Sequence, residues 1–437
     1  MNITKIRKRN NTLAIFQIEK ITTAISKAFK ESGEGDETAS QRVTELVLEH
    51  LEQLCEQAQK SGTPEHESGH CAEGYPAVEE VQDIVERSLM ELNFFETAKA
   101  YILYRNLREK LRSRDIFKKR TAMKPYEYPE LLEYKDAIRH SYWIHTEFNY
   151  TGDIQDFKTN VREFERQALR KTMLAIAQIE VAVKTFWGNI YNKMPKPEIG
   201  AVGATFAESE VRHMDAYAHL LELLGLNDEF ETLKSVPAIQ KRIEYLDKVN
   251  TLATAGERSE YALAVLLFSL FVEHVSLFSQ FLIIMSFNKH RNLFKGISNA
   301  VEATSKEEQI HGLFGIDVIT IIKEEHPEWF DEAQVKEIRA MCIEAFQAES
   351  EIIDWIFADG ELEYMSADVV KEFVKQRLNN SLTSIGVSSV FGINEKLVEE
   401  TEWFDDEVIA TKQVDFFDKR SINYNKRGSS VTGQDLF

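Results

Sequence analysis

Two short patterns in this sequence could do metal chemistry. Glu210-Val-Arg-His213 and Glu308-Gln-Ile-His311 each place a carboxylate and an imidazole three residues apart. On a helix that spacing puts both side chains on one face. Two further acids stand in apolar surroundings: Glu180 in LAIAQIEVAV and Glu273 in LFSLFVEHVS. One Glu from each of two helices, with a Glu-x-x-His from each of two others, is the donor set of a carboxylate-bridged di-metal bundle. Hard carboxylate oxygens bridge divalent ions and imidazoles complete the coordination, a set that suits iron or manganese.

One Glu-x-x-His by itself carries little weight. With 11 His in the chain, about one such pair is expected by accident. Glu67-Ser-Gly-His70 is a third pair, and its Ser/Gly loop predicts a solvated one. Glu210 and Glu308 alone would read as surface helix charge. Glu180 and Glu273 do not, because both interrupt apolar runs and a buried carboxylate needs a partner. His274 adjoins Glu273, but neighbours in sequence do not share a helix face, so it is read as a satisfied bundle histidine. Tyr217 follows His213 by four residues and lies on the same face. It is either a core tyrosine with a bonded hydroxyl, or a phenol beside an oxidising metal pair, able to lose an electron and a proton.

These residues need long helices to hold them. Phe157 to Tyr191, Val202 to Leu224, Tyr261 to Phe287, Gly296 to Glu324 and Ala333 to Ala358 show helical periodicity with few breakers. The centre therefore reads as mainly α, a bundle with helices longer than average. Tyr261–Phe287 is long and apolar enough to cross a bilayer. Glu273 and His274 at its middle argue instead for a buried bundle helix, and no membrane is expected. Towards the start, ITKIRKRNNTLAIF predicts a short hairpin turning at Asn10-Asn11. Helix follows from Ile18, a breaker-rich loop spans Ser61 to Pro76, and a helix runs from Val78 to about Arg112. The expected domains are 1–110, 111–395 and a flexible tail over 396–437. Glu399 to Glu407 is strongly acidic, and the remainder has too little periodic apolar content for a core.

Composition narrows the partners. The chain has 437 residues, with 52 Lys and Arg against 72 Asp and Glu, a net charge of −20. That balance is poor for gripping a nucleic-acid backbone, and no nucleic acid is expected. Only 19 Gly and 8 Pro argue against a turn-rich sandwich or barrel. Cys55, Cys71 and Cys342 are odd in number and lack framework spacing, which argues against a disulfide-built secreted domain. The start MNITKIRKRNN shows no signal peptide, so the expected compartment is a reducing cytoplasm.

The motif set resembles the radical-generating small subunit of class I ribonucleotide reductase over about residues 140–437. The resemblance implies a ferritin-like di-metal helical bundle in which Glu180, Glu210, His213, Glu273, Glu308 and His311 hold the metals. It also implies a radical-bearing role for Tyr217, four residues after the first His. Trp143, in SYWIHTEF, matches the family's aromatic residue near the start of the bundle domain, and Glu307 matches an acid linking that Trp to a ligand His. Tyr424 matches a tail tyrosine that relays the radical, and the Gln434–Phe437 end matches a peptide that docks on the large subunit. Two positions depart from the common pattern: Glu180 and Glu307 both replace Asp. A Glu first ligand is similar to a subgroup that uses dimanganese and stores the oxidising equivalent on the metals, so manganese is preferred and iron is the alternative. Residues 1 to about 110 resemble the ATP-cone, a small α+β nucleotide-sensing domain, through Ile6-Arg7-Lys8-Arg9-Asn10, Phe16, Glu19-Lys20-Ile21, Ala24-Ile25 and the closing VEEVQDIVERSLMELNFFETAKAYILYRNLR. Lys8, Arg9, Lys20 and Lys99, with Asn10 and Gln82, are the candidate ligands for ATP and dATP. The implied partners are the large subunit and a second copy of the chain, with a higher oligomer under dATP. No match exists for the large subunit's substrate cysteines. A stand-alone ferritin-like di-iron oxidase or oxygenase shares the ligand set and remains the alternative.

Overall fold

The computed structural model describes residues 3–9, 12–61, 71, 74–112, 114–254 and 256–410. Asn10 and Asn11, the Glu67/His70 pair, Tyr424 and the Gln434–Phe437 end lie outside the described residues. The chain divides into two compact units, Met1–Arg114 and Asp115–Phe437.

Among its described residues, the first unit has a two-stranded antiparallel sheet and four helices. Strands Lys5–Arg7 and Leu13–Ile15 pair antiparallel, with Lys5 opposite Ile15. Helices Ile18–Ser32, Glu37–Ser61, Val78–Glu91 and Phe95–Arg112 bury one core around Ile25, Phe29, Val43, Val47 and Leu89. The single helix expected over 78–112 is broken at Leu92–Phe94. Asn93 takes a left-handed conformation (φ 63°), which Asn tolerates better than most residues, and Phe94 then packs edge-on against Phe29 at 4.9 Å. Periodicity is blind to such a break because apolar residues continue on both sides of it. Cys55 and Cys71 are joined in a disulfide, a pairing that their spacing did not announce. The Glu80 carboxylate accepts from Cys71 N (2.9 Å) and Ala77 N (2.7 Å), fixing the entry to the third helix.

The second unit is a helical bundle. Helices Glu163–Gly188, Pro197–Leu224 and Lys295–Glu325 and the long segment Arg258–Arg291 form its centre. Leu132–His140, Pro237–Thr254, Glu332–Ile356 and Ala367–Ser384 pack around them. The apolar segment is buried inside the bundle throughout its most hydrophobic window. It is not one uniform helix, as its hydropathy suggested: Phe268–Ser276 is wound as π-helix, and Ser276 Oγ donates to the Phe271 carbonyl at 2.9 Å. Gly315 makes room for this wider stretch, since a Cβ there would collide with Ser269. The helix expected from Phe157 starts at Glu163, because Asp156–Asn160 forms its own π turn and Val161 is extended.

The tail boundary at 396 is also corrected. Glu395–Glu399, Glu402–Asp405 and Asp406–Ala410 are helical, and Phe404 and Val408 belong to the bundle core. Composition called this stretch a tail because its acids are numerous, yet two of those acids pair with bundle cations. Asp405 pairs with Arg377 at 3.3 Å and Glu407 with Lys289 at 2.7 Å. Phe404 meets Phe373 at 5.5 Å and Phe278 at 6.3 Å. Phe404→Ala is expected to cost about 3–5 kcal/mol of bundle stability. Denaturant unfolding of the metal-free protein measures this, and an unchanged midpoint would mean that the segment is not part of the core.

Candidate metal centre

The four central helices bring the candidate acids and imidazoles together. Glu163–Gly188 and Pro197–Leu224 lie closely side by side because residue 203 is Gly; a Cβ there would clash with Ile190 and with the Trp187 carbonyl, 2.6 Å away. Glu210, Glu273, Glu308 and His311 each offer a donor atom within 4.8 Å of the others, and Glu180, His213 and Glu308 form a second such group. Glu308 is common to both. All six residues are buried, with no more than 1% of any exposed.

The imidazoles are oriented for coordination. His213 Nε2 lies 2.8 Å from Glu307 Oε2, and His311 Nε2 lies 3.0 Å from Ser209 Oγ. Ser209 already donates to the Phe206 carbonyl, so it accepts from His311. This pattern assigns an Nε2 proton to each ring and turns both Nδ1 atoms toward the carboxylates, where a metal ion could take the place of an Nδ1 proton. His213 Nδ1 is 2.9 Å from Glu308 Oε1, and His311 Nδ1 is 3.1 Å from Glu210 Oε1. Both oxygens of Glu180 and of Glu210, with Glu273 Oε2 and Glu308 Oε1, make no hydrogen bond among the described residues. Buried carboxylate oxygens are rarely left so, and hard oxygens and imidazole nitrogens converging on one place fit a pair of divalent cations.

Electrostatics point the same way. Burial raises Glu180 and Glu273 well above the usual carboxylate range, and the neighbouring Glu210 and Glu308 add to the rise. Burial works against His213 and His311 as cations, yet the surrounding glutamates hold both well above the ordinary imidazole value. Glu308 is held low against its burial by the Glu273 hydrogen bond and the His311 charge. Left to itself, the cluster gathers protons to balance its charge, and cations would displace them.

Tyr217 is buried and its hydroxyl has no hydrogen bond among the described residues. Burial raises its pKa well above 10, helped by the Glu180 charge. His274 is satisfied by Ser381 Oγ at 2.8 Å, away from the cluster. The expected link from Trp143 through Glu307 to His213 is only half present. Glu307 reaches His213, but its other oxygen is taken by Arg212 Nη2 (3.1 Å) and Ser141 Oγ (3.2 Å). The Trp143 indole N–H has no acceptor among the described residues, and its ring stacks on His213 at 5.9 Å instead. Sequence reasoning missed three residues here. Trp187 donates to Glu273 Oε1 at 2.8 Å, and its place seven residues after Glu180, on the same helix face, was a usable signal. Ser209 precedes the first Glu-x-x-His and Arg212 lies within it, and neither carried such a mark.

In the first unit, Arg9 bonds Gln82 at 3.0 Å and also pairs with Glu79. Lys8 and Lys20 are exposed, and Lys99 pairs with Glu96 at 3.7 Å.

Comparison with known proteins places both units. The family model "Ribonucleotide reductase, small chain" matches residues 120–398, and the model of the ATP cone domain matches residues 4–110. A ribonucleoside-diphosphate reductase subunit beta of Chlamydia pneumoniae is 24% identical over 319 residues, covering 68% of this chain and 90% of that protein. A solved ribonucleotide reductase subunit from Clostridium botulinum is 16% identical with a TM-score of 0.58, covering 64% of this chain and 88% of that one. A dimanganese(II) NrdF protein of Streptococcus sanguinis is 15% identical with a TM-score of 0.54, covering 65% and 100%. At these identities the two structures speak for the fold alone.

Two predictions follow from the donor geometry. Groups with raised pKa hold their protons to higher pH and compete with a metal below it, so metal uptake releases protons and affinity climbs as pH rises. Titrating manganese(II) into lightly buffered metal-free protein at several pH values checks this; uptake without proton release would contradict it. Because Glu308 is shared, Glu308→Ala is expected to weaken both positions and Glu180→Ala only one, with Glu307→Gln costing about 10–100-fold in affinity. Calorimetric stoichiometry distinguishes these outcomes.

Proposed function

The chain belongs to the ribonucleotide reductase small-chain family, an oxidoreductase family, and carries an ATP-cone domain ahead of the ferritin-like bundle; from this premise we propose that it supplies the oxidising equivalent that starts ribonucleotide reduction on a large subunit. The observation that carries the proposal is the one carboxylate, Glu308, common to two buried donor groups. Glu180, His213 and Glu308 would hold one metal ion; Glu210, Glu273, Glu308 and His311 would hold the other. When bound, the ions supply one-electron redox chemistry that side chains alone lack. Manganese is the preferred pair and iron the alternative, since all-hard oxygen donors with two imidazoles accept either.

The chain's own residues do the rest. Trp187, Phe206 and Phe314 line the His311 side and exclude water. Glu307 and Ser209 hold the imidazole tautomers. Tyr217, desolvated beside the Glu180 charge, keeps its proton at the hydroxyl until an electron leaves with it. Trp143, stacked on His213, is proposed to begin the outward route, while Glu307 holds the His213 ring in place. Tyr424 is proposed to relay the equivalent onward, and the Gln434–Phe437 end to dock on the large subunit.

The N-terminal unit is proposed to bind ATP and dATP through Lys8, Arg9, Asn10, Lys20, Gln82 and Lys99, with the Arg9–Gln82 bond supporting part of that set. The proposed assembly is a homodimer in the cytoplasm that dATP converts into a higher oligomer unable to engage the large subunit productively. The nucleotide-sensing unit favours this reading over a stand-alone oxidase, which has no evident use for it.

Metal-loaded protein mixed with a large subunit of the class I enzyme is expected to form deoxyribonucleotide, and to show either a high-valent metal signal or a tyrosyl signal by electron paramagnetic resonance. A correctly loaded protein with neither signal would sink the reading. Light scattering is expected to give a larger mass with dATP than with ATP; equal masses would remove the regulatory part and leave the redox part standing.

A further inference from the structure

Arg212 lies inside the first Glu-x-x-His, yet its partners are all outside the carboxylate cluster. Its side chain is only 6% exposed. Nε donates to Glu208 at 3.0 Å, Nη1 to the Trp143 carbonyl at 3.0 Å, and Nη2 to Glu307 at 3.1 Å. The guanidinium also lies 4.5 Å from the ring centre of Tyr142, which is 56% exposed, and 5.9 Å from that of Trp143. Three elements are thus clamped by one cation: the Trp143 backbone, the acid that orients His213, and the helix that carries His213. The clamp also explains the orphaned indole, because Arg212 and Ser141 occupy the Glu307 oxygen that does not serve His213.

We propose that Arg212 is a positioning residue that sets how readily Trp143 gives up an electron. The proposal rests on the reading above in one respect, that Trp143 belongs to the outward route. In the step concerned, Trp143 loses one electron to a one-electron oxidant. The indole keeps its N–H proton, since Nε1 meets no acceptor among the described residues, and the ring carries the resulting positive charge as a radical cation. A fixed guanidinium beside the ring opposes that charge. Glu208 and Glu307 neutralise part of it, and Glu208, with its side chain 50% exposed, is the partner most easily changed. Arg212 therefore holds Trp143 in register on His213 while keeping a resting hole off the indole.

The test uses the metal-free full-length protein, so neither metal nor large subunit enters it. A photo-excited ruthenium polypyridyl complex with persulfate as electron acceptor supplies the one-electron oxidant. Transient absorption reads tryptophan radical, and the share of Trp143 is the difference between each protein and its Trp143→Phe counterpart. Arg212→Gln is expected to raise that share about tenfold, the order that a partly neutralised unit charge at 5.9 Å supports in an effective dielectric of about 20. Arg212→Lys, which restores the charge, is expected to return it towards the parent value, and Glu208→Gln to lower it. An unchanged share in Arg212→Gln with an unchanged circular dichroism spectrum overturns the proposal, as does an equal rise in the Gln and Lys variants. If Arg212→Gln does not fold, Glu208→Gln decides, and an unchanged share there overturns it as well. A chain that failed to bind metal would contradict the proposed function and leave this result intact.

Discussion

Four glutamates cannot share a dry space as anions without cations between them. That constraint governs the second unit. Each carboxylate lost its hydration on folding, and several of the oxygens received no hydrogen bond in return. Protons can offset the charge, which is what the raised Glu180, Glu273, His213 and His311 express. Divalent ions would offset it better, because each brings two charges to the point where the oxygens already converge. The surrounding bundle is the apparatus that makes the constraint survivable: four helices at fixed separation, brought close in two pairs at Gly203 and Gly315, and aromatic rings packed against the His311 side.

The outer layer of the site is a charge-balanced network in its own right. Glu307 serves His213 with one oxygen and Arg212 and Ser141 with the other. Arg212 is matched by Glu208 as well. Burial alone would raise Glu307, but His213 and Arg212 bring it below the usual carboxylate value and so keep it an acceptor. The same arrangement fixes which imidazole nitrogen carries the proton. The ligand face and the outward face of His213 are thus set by one acid.

How much of this was legible depended on the kind of signal. The donor pattern was readable because ligand chemistry restricts residue type, and the i, i+3 spacing restricts geometry. Long helices were readable because apolar periodicity persists over many turns. Asn93 was hidden because a single left-handed residue leaves the apolar pattern on either side unchanged. The segment over 402–410 was misjudged because composition counts acids without knowing their partners, and Arg377 and Lys289 lie far away in sequence. Arg212 was overlooked for a related reason: its meaning comes from Trp143 and Glu307, which no local window contains. The disulfide between Cys55 and Cys71 is likewise a fact of three-dimensional proximity.

The π-wound stretch Phe268–Ser276 bears on how this chain can change over time. An ordinary helix advances about 100° per residue, so one surplus residue rotates everything beyond it by that amount. The segment therefore works as a phase shift between its two ends: Tyr261 and Phe287 are presented to their neighbours in a relation that an unbroken α-helix of equal length would not give. Point substitutions leave this phase alone, and gain of one residue between 268 and 276 would turn one end against its packing partners, whereas loss of one can be absorbed by rewinding the stretch as α-helix. The two kinds of length change should accordingly be unequal here: a gained residue disturbs the packing of an end, while a lost one keeps both ends in phase and moves only the side chains around Glu273.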